Sequence, residues 1–212
     1  MLSFLDFFAE CSGLWKTERT YHMTDVNEIE RSYTEYEVKA LTYQDKQNIM
    51  APSDSMPIVF DLDALMLDDR GIPGFSIAFD TVSEKGEKVS MQLKALFVPD
   101  THVLSVSEVT DNSLIPIAAQ LEKSKEVVQG YYLRDEGYSE AGAIAGRFTY
   151  QPTRQTLEMT TYYKKSIAVD QMRFLTHETR LRTIVTYRRP DQPVAPTEIT
   201  LVGFGVEHRT RA

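Results

Sequence analysis

The chain has 212 residues, enough to bury a sizeable core, and reads as a single domain over residues 1–212. With 23 Lys and Arg against 31 Asp and Glu, its net charge of -8 excludes a general phosphate-backbone binder, so nucleic acid is not an expected partner and an anionic ligand must be held by local arginines. The single cysteine, Cys11, excludes an intramolecular disulfide framework, no Cys or His spacing suits a metal, and no apolar run approaches the roughly 18–20 residues of a membrane span.

The first residues, Met1-Leu2-Ser3-Phe4-Leu5-Asp6, lack the basic start and long apolar core of a secretion signal, so a cytosol-type compartment is expected. Residues 3–10 place Phe4, Phe7 and Phe8 at helical spacing behind an N-cap candidate, Ser3, which predicts a short amphipathic helix ending near Gly13. Trp15–Met23 is rich in Thr and aromatic residues and reads as a strand in which Trp15, Arg19 and Tyr21 share one face and His22 takes the other. Ile29–Leu41 is a second strand. The stretch from Tyr43 to Leu67, broken by Pro52 and Pro57, reads as a short helix and a loop.

Beyond Gly74 come strand-length runs at Phe75–Val82, Lys88–Val98, His102–Val109, Val127–Leu133, Ala143–Tyr150, Thr156–Tyr163, Val169–Leu175, Thr179–Arg188 and Glu198–His208. Turn residues separate them, and one more helix is predicted at Ile115–Lys125. The fold class is therefore all-β, with about ten antiparallel strands and one or two short helices besides the first. Closure into a barrel removes the sheet edges and leaves an interior that suits one small ligand.

The catalytic near-misses fail on context. Gly137 to Gly142 is one residue too long for a nucleophile elbow, which leaves Ser139 a loop serine; His177-Glu178 lacks the second histidine of a zinc helix; and Gly203-Phe204-Gly205 lacks the third glycine of a dinucleotide loop. What remains is a pattern of polar groups. Arg180 and Arg182 share one face of their strand with Ile184 and Thr186, and Leu201, Gly203, Gly205, Glu207 and Arg209 share a face of the last strand. Asp170 lies with Met172 and Phe174 on the strand before. Such arginines either face water, pair with Asp170 and Glu207 across strands, or line a cavity with those carboxylates; glycine on an interior face would leave room for a ligand.

Several segments together resemble one family. They are Trp15-Lys16-Thr17-Glu18-Arg19-Thr20-Tyr21-His22 after a Phe-rich helix, Leu133-Arg134 with Gly137-Tyr138, Ala145-Gly146-Arg147-Phe148, Arg180-Leu181-Arg182-Thr183, and Phe204-Gly205-Val206-Glu207-His208-Arg209. Their order and spacing are similar to those of the S-type (CpcS/CpeS) phycobiliprotein chromophore lyases. The resemblance implies a ten-stranded barrel like the lipocalins and fatty-acid-binding proteins. It also implies an activity: holding a linear tetrapyrrole, phycocyanobilin or phycoerythrobilin, as substrate with no resident cofactor, and passing it to a cysteine of a phycobiliprotein alpha or beta subunit as a thioether. Arg180 and Arg182 fall on the family's paired arginines, suited to propionates; Asp170 and Glu207 on its acidic positions, implied to be catalytic; Arg19 and His22 on its first-strand polar pair. Trp15 and Arg147 complete the implied ligand-binding set. Two departures stand out: Arg173-Phe174 replaces a Trp-Phe pair, and Asp170 is a methylene shorter than the usual Glu. The implied setting is cyanobacterial cytoplasm or plastid stroma, as a homodimer or with a second lyase subunit. The alternative is a non-catalytic bilin carrier, a partner subunit, or a binder of another amphipathic acid.

Overall fold

The computed structural model describes residues 1–51, 58–61, 71–106, 126–135, 143–192 and 194–210. Its frame begins with a hairpin of β1 (Gly13–Met23) and β2 (Glu28–Ala40), whose turn carries Asn27 in the left-handed region at φ 53°. A second hairpin joins β4 (Gly74–Ser83) to β5 (Lys88–Pro99). A meander follows through β7 (Val128–Arg134), β8 (Ile144–Gln151), β9 (Thr156–Tyr162), β10 (Ser166–Thr176), β11 (Thr179–Arg188) and β12 (Ile199–Thr210). Every neighbouring pair is antiparallel, and β12 returns to β1, so these ten strands close into a barrel.

One expected barrel strand lies elsewhere. Within the run predicted over His102–Val109, the described residues form β6 (Val103–Val106), which pairs with β3 (Ile58–Phe60) as a two-stranded ribbon separate from the barrel. Alternation in sequence reports that one face is apolar but not which sheet that face joins. Helix α2 (Tyr43–Met50) is the short helix foreseen after β2; Thr42 and Asp45 form a reciprocal capping box at its start. Its Ile49 and Met50 pack with Ile58 and Phe60 against Leu96, Val98 and Leu133, covering part of the outer wall. The predicted helix at Ile115–Lys125 and the Ser139 loop lie outside the described residues.

The N-terminal helix, α1 (Phe4–Cys11), stops one end of the barrel. Ser3 caps it by accepting from the Asp6 backbone N–H, and the buried side chains of Phe7, Phe8 and Cys11 enter the interior beside Trp15, Phe97, Tyr150 and Phe174. Each buried ring contributes about 1.5–3 kcal/mol of transfer free energy, so the helix is held mainly by this contact. Polar ties add direction: Tyr150 donates to the Leu2 carbonyl, the Trp15 indole donates to the Cys11 carbonyl, and Arg209 donates to the carbonyls of Glu10 and Ser12. Gly13, at φ 124°, then turns the chain from helix into β1. No helix among the described residues is long and apolar enough to cross a membrane.

Candidate functional site

Four adjacent strands, β1, β12, β11 and β10, carry a cluster of interior charged groups. Register fixes their arrangement: Arg180 lies opposite Glu207, Arg182 and Arg19 each lie opposite Gly205, and Asp170 sits diagonally from Arg182. Arg180 donates from Nε to Glu207 Oε2 at 2.8 Å and from Nη2 to the Tyr36 hydroxyl at 2.8 Å. Arg19 Nη2 reaches Glu207 Oε1 at 3.2 Å, and Arg182 Nη1 lies 3.9 Å from the same oxygen. Arg182 also grips Asp170 with two bonds, Nε to Oδ1 at 3.0 Å and Nη2 to Oδ2. Three guanidiniums thus face two carboxylates, one positive charge in excess, inside a chain whose net charge is -8.

The groups are graded in depth. Glu207 and Arg180 are sealed, with side-chain exposures of 0% and 2%, whereas Arg182, Arg19 and Asp170 retain 12%, 16% and 19%. The deep pair lies against the α1 plug: the Arg180 guanidinium sits 4.2 Å above the Trp15 ring and 5.5 Å from Phe174. The shallower three lie one step along the strands, away from α1. The two arginines read from sequence as an equivalent pair are therefore unlike. Arg180 is sealed within the frame, and Arg182 keeps some contact with solvent.

Electrostatics follow the same division. Burial would raise the Glu207 carboxyl, but Arg180, Arg182 and Arg19 outweigh it and hold it at about 2. Burial opposes the charge on Arg180 too, and Glu207 more than compensates, raising its pKa further above the usual guanidinium value. Burial also raises the Tyr36 phenol, so it remains a neutral donor and acceptor. Arg19 Nε and Ser32 Oγ, on register-paired residues of β1 and β2, are both buried without a hydrogen-bond partner. Such atoms are uncommon and costly in a folded interior.

The interior glycines do not leave space for a ligand, as their sequence pattern suggested. A Cβ on Gly203 would stand 2.7 Å from the Tyr21 ring, and one on Gly205 would stand 2.7 Å from the Glu18 carbonyl and 3.0 Å from Arg19 Cγ. The space is taken by Tyr21 and Arg19, which cross over the glycines of β12.

Not every predicted ligand-binding residue joins the cluster. His22 lies on the outer wall, stacked on Phe204 at 5.9 Å. Arg147 is also outside, its two terminal nitrogens on Asp100 at 2.7 Å each and its guanidinium 4.3 Å from the Tyr131 ring centre. Trp15 is interior but sealed at 1% exposure beneath Arg180 and Arg209. Arg173, at the position of the missing tryptophan, is exposed on the outer wall, so that departure takes nothing from the interior. Tyr36 is the residue that sequence reasoning missed; the alternation of Thr34, Tyr36 and Val38 with charged residues in β2 already marked its face as internal. The buried Cys11 thiol, raised by desolvation, offers no exposed nucleophile. No group of three metal-ligating side chains occurs among the described residues.

Outside the same strands runs a groove of about 560 Å³, lined by Lys16, Glu18, Leu181, Phe204 and Val206 among others. Arg182 and Gly205 also border it, so the groove and the interior cluster share the β11–β12 wall.

Comparison with known proteins agrees with this architecture. The family model of CpeS-like proteins matches residues 3–103 and 104–210. Chromophore lyase CpcS/CpeS 1 of Synechococcus sp. (strain JA-3-3Ab) is 36% identical over 206 residues, spanning 97% of this chain and 96% of that protein. The structure of the S-type phycobiliprotein lyase CPES from Guillardia theta superposes with a TM-score of 0.62 at 15% identity, covering 100% of this chain and 95% of that one, a likeness of fold.

Proposed function

Because this chain belongs to the CpeS-like protein family, we propose that it is a chromophore lyase that holds a linear tetrapyrrole in the barrel and delivers it to a cysteine of a phycobiliprotein alpha or beta subunit, where a thioether forms. The observation that carries this reading is the one positive charge in excess in the interior cluster, Arg19, Arg180 and Arg182 against Asp170 and Glu207, with Arg182, Arg19 and Asp170 keeping some contact with solvent. A bilin brings two propionates, which match the planar forks of arginine, and pyrrole N–H groups, which match a carboxylate. The partner subunit supplies the thiolate, so no nucleophile is required of this chain. Its part is to bind the tetrapyrrole, hold its propionates on Arg182 and Arg19, and offer Asp170 to the ring nitrogens or as a proton carrier. Glu207 is proposed to act through Arg180, Arg19 and Arg182 rather than by touching ligand, since it is sealed.

Two measurements test this. Titration with phycocyanobilin and phycoerythrobilin should shift the absorption of at least one at micromolar protein. Co-expression with bilin-forming enzymes and candidate phycobiliprotein subunits should then give covalently coloured subunit that survives denaturing electrophoresis. Binding without transfer, by this chain alone or with a second lyase subunit, would reduce the assignment to a bilin carrier. No spectral shift with either bilin would remove it.

A further inference from the structure

The cluster's charge count suggests how it admits a ligand. Glu207 is fixed: it is fully buried and shared by Arg180 and Arg19, with Arg182 close by. Asp170 has a different standing, being the more exposed carboxylate and occupying the fork of Arg182, Nε and Nη2, which is the part of an arginine that grips a carboxylate by two bonds. Chemically, Asp170 presents to Arg182 what a ligand propionate would present. Both partners keep contact with solvent, so the exchange of one carboxylate for another needs no opening of the sealed layer beneath.

We propose that Asp170 is a resident stand-in for a ligand carboxylate, and that binding proceeds by exchange: the incoming carboxylate takes Arg182, and Asp170 is released toward the ligand. Before exchange the cluster has three cations and two anions, so a ligand carboxylate on Arg182 and the displaced Asp170 can both stay in its neighbourhood without an excess of negative charge. The displaced Asp170 then carries an unpaired charge in a partly buried place, which favours contact with an N–H donor on the ligand. The same movement that seats the acid end therefore presents the carboxylate to the nitrogen-bearing part. An apolar acid without such donors, a fatty acid for example, would leave Asp170 unpaired and bind less well. This inference rests on the proposed bilin function and adds a competition that simple propionate binding lacks.

The competition has a counterintuitive sign, which makes it testable. Phycocyanobilin and its dimethyl ester are titrated into the wild type, Asp170→Asn and Asp170→Ala, with circular dichroism and thermal melting confirming that each is folded. Removing the resident anion should tighten binding of the free acid relative to the ester by about five- to tenfold in both variants, the scale of a partly exposed ion pair. A purely structural Asp170 would leave the acid-to-ester ratio unmoved, and a directly cooperating one would lower it. Either outcome in the two folded variants overturns the exchange while leaving bilin binding intact. If one variant fails to fold, the other decides. A wild type that binds neither acid nor ester overturns the exchange together with the proposed function.

Discussion

Glu207 and Arg180 illustrate how little of a buried charge's role can be read from its place in a strand. Alternation grouped each with its own face, and cross-strand pairing was one of three arrangements open to them; that the pair lies opposite, inside, and sealed by Trp15, Phe174 and α1 depends on contacts far along the chain. Replacing Glu207 by Gln should cost about 3–5 kcal/mol, because Arg180 would remain buried without its counter-charge. Denaturant unfolding of the folded variant measures it, and a loss below 1 kcal/mol would contradict the assignment. The pH dependence has a definite direction. Glu207 is held at about 2 against an ordinary value of 4.5, so its contribution is complete above the ordinary value and is lost as pH falls toward the folded one. Glu207→Gln should therefore flatten the acid limb of the stability curve between those values. At the neighbouring pair, Arg180→Ala should mainly lower stability, whereas Arg182→Ala should leave most of the stability and weaken bilin affinity by the roughly 1.5–3 kcal/mol of a charged hydrogen bond. Equal effects of the two on stability and on affinity would show that the depth gradient carries no meaning. His22 and Arg147 mark the limit of residue-level reading: resemblance named them, but the pleat turned them outward.

Among the elements, hairpins were the most legible because each reports itself locally. Arg180, Arg182 and Glu207 could be placed on their faces from β11 and β12 alone, and the capping pattern of Ser3 and the three phenylalanines marked α1. Destination was harder to see: β6 left the barrel for β3, and α1 became a plug, through apolar contacts that no single segment encodes. The plug makes Phe7→Ala a sensitive change. Phe7 is fully buried between Phe8, Tyr150 and Phe174, and its loss should cost about 3–5 kcal/mol in thermal or chemical unfolding. The crossing of Tyr21 over Gly203 gives a second element-level test. Gly203→Ala should destabilise the protein in the wild-type background and much less in a Tyr21→Ala background, since the added methyl meets the Tyr21 ring. Additive losses would place the strain elsewhere.

Taken whole, the molecule is a closed ring of hydrogen-bonded strands stopped at one end by a helix, and its polar site spans the seam between the first and last strands of that ring. The ion pair of Arg19 with Glu207 joins residues 188 positions apart. Hairpins such as β10–β11 can form as soon as their own residues are available, but the seam cannot, because loop closure over that distance must wait for nearly the entire chain. On the ribosome, Arg19 of β1 and Arg180 of β11 are made before Glu207, the carboxylate they share, and until β12 emerges the nascent sheet has two exposed edges. Interruption of synthesis before β12 would leave a strand-rich fragment prone to associate through its edges, with Arg19 and Arg180 lacking the Glu207 on which the deep layer depends. The charge cluster is thus completed in a single late event, when the final strand zips the first to its neighbour.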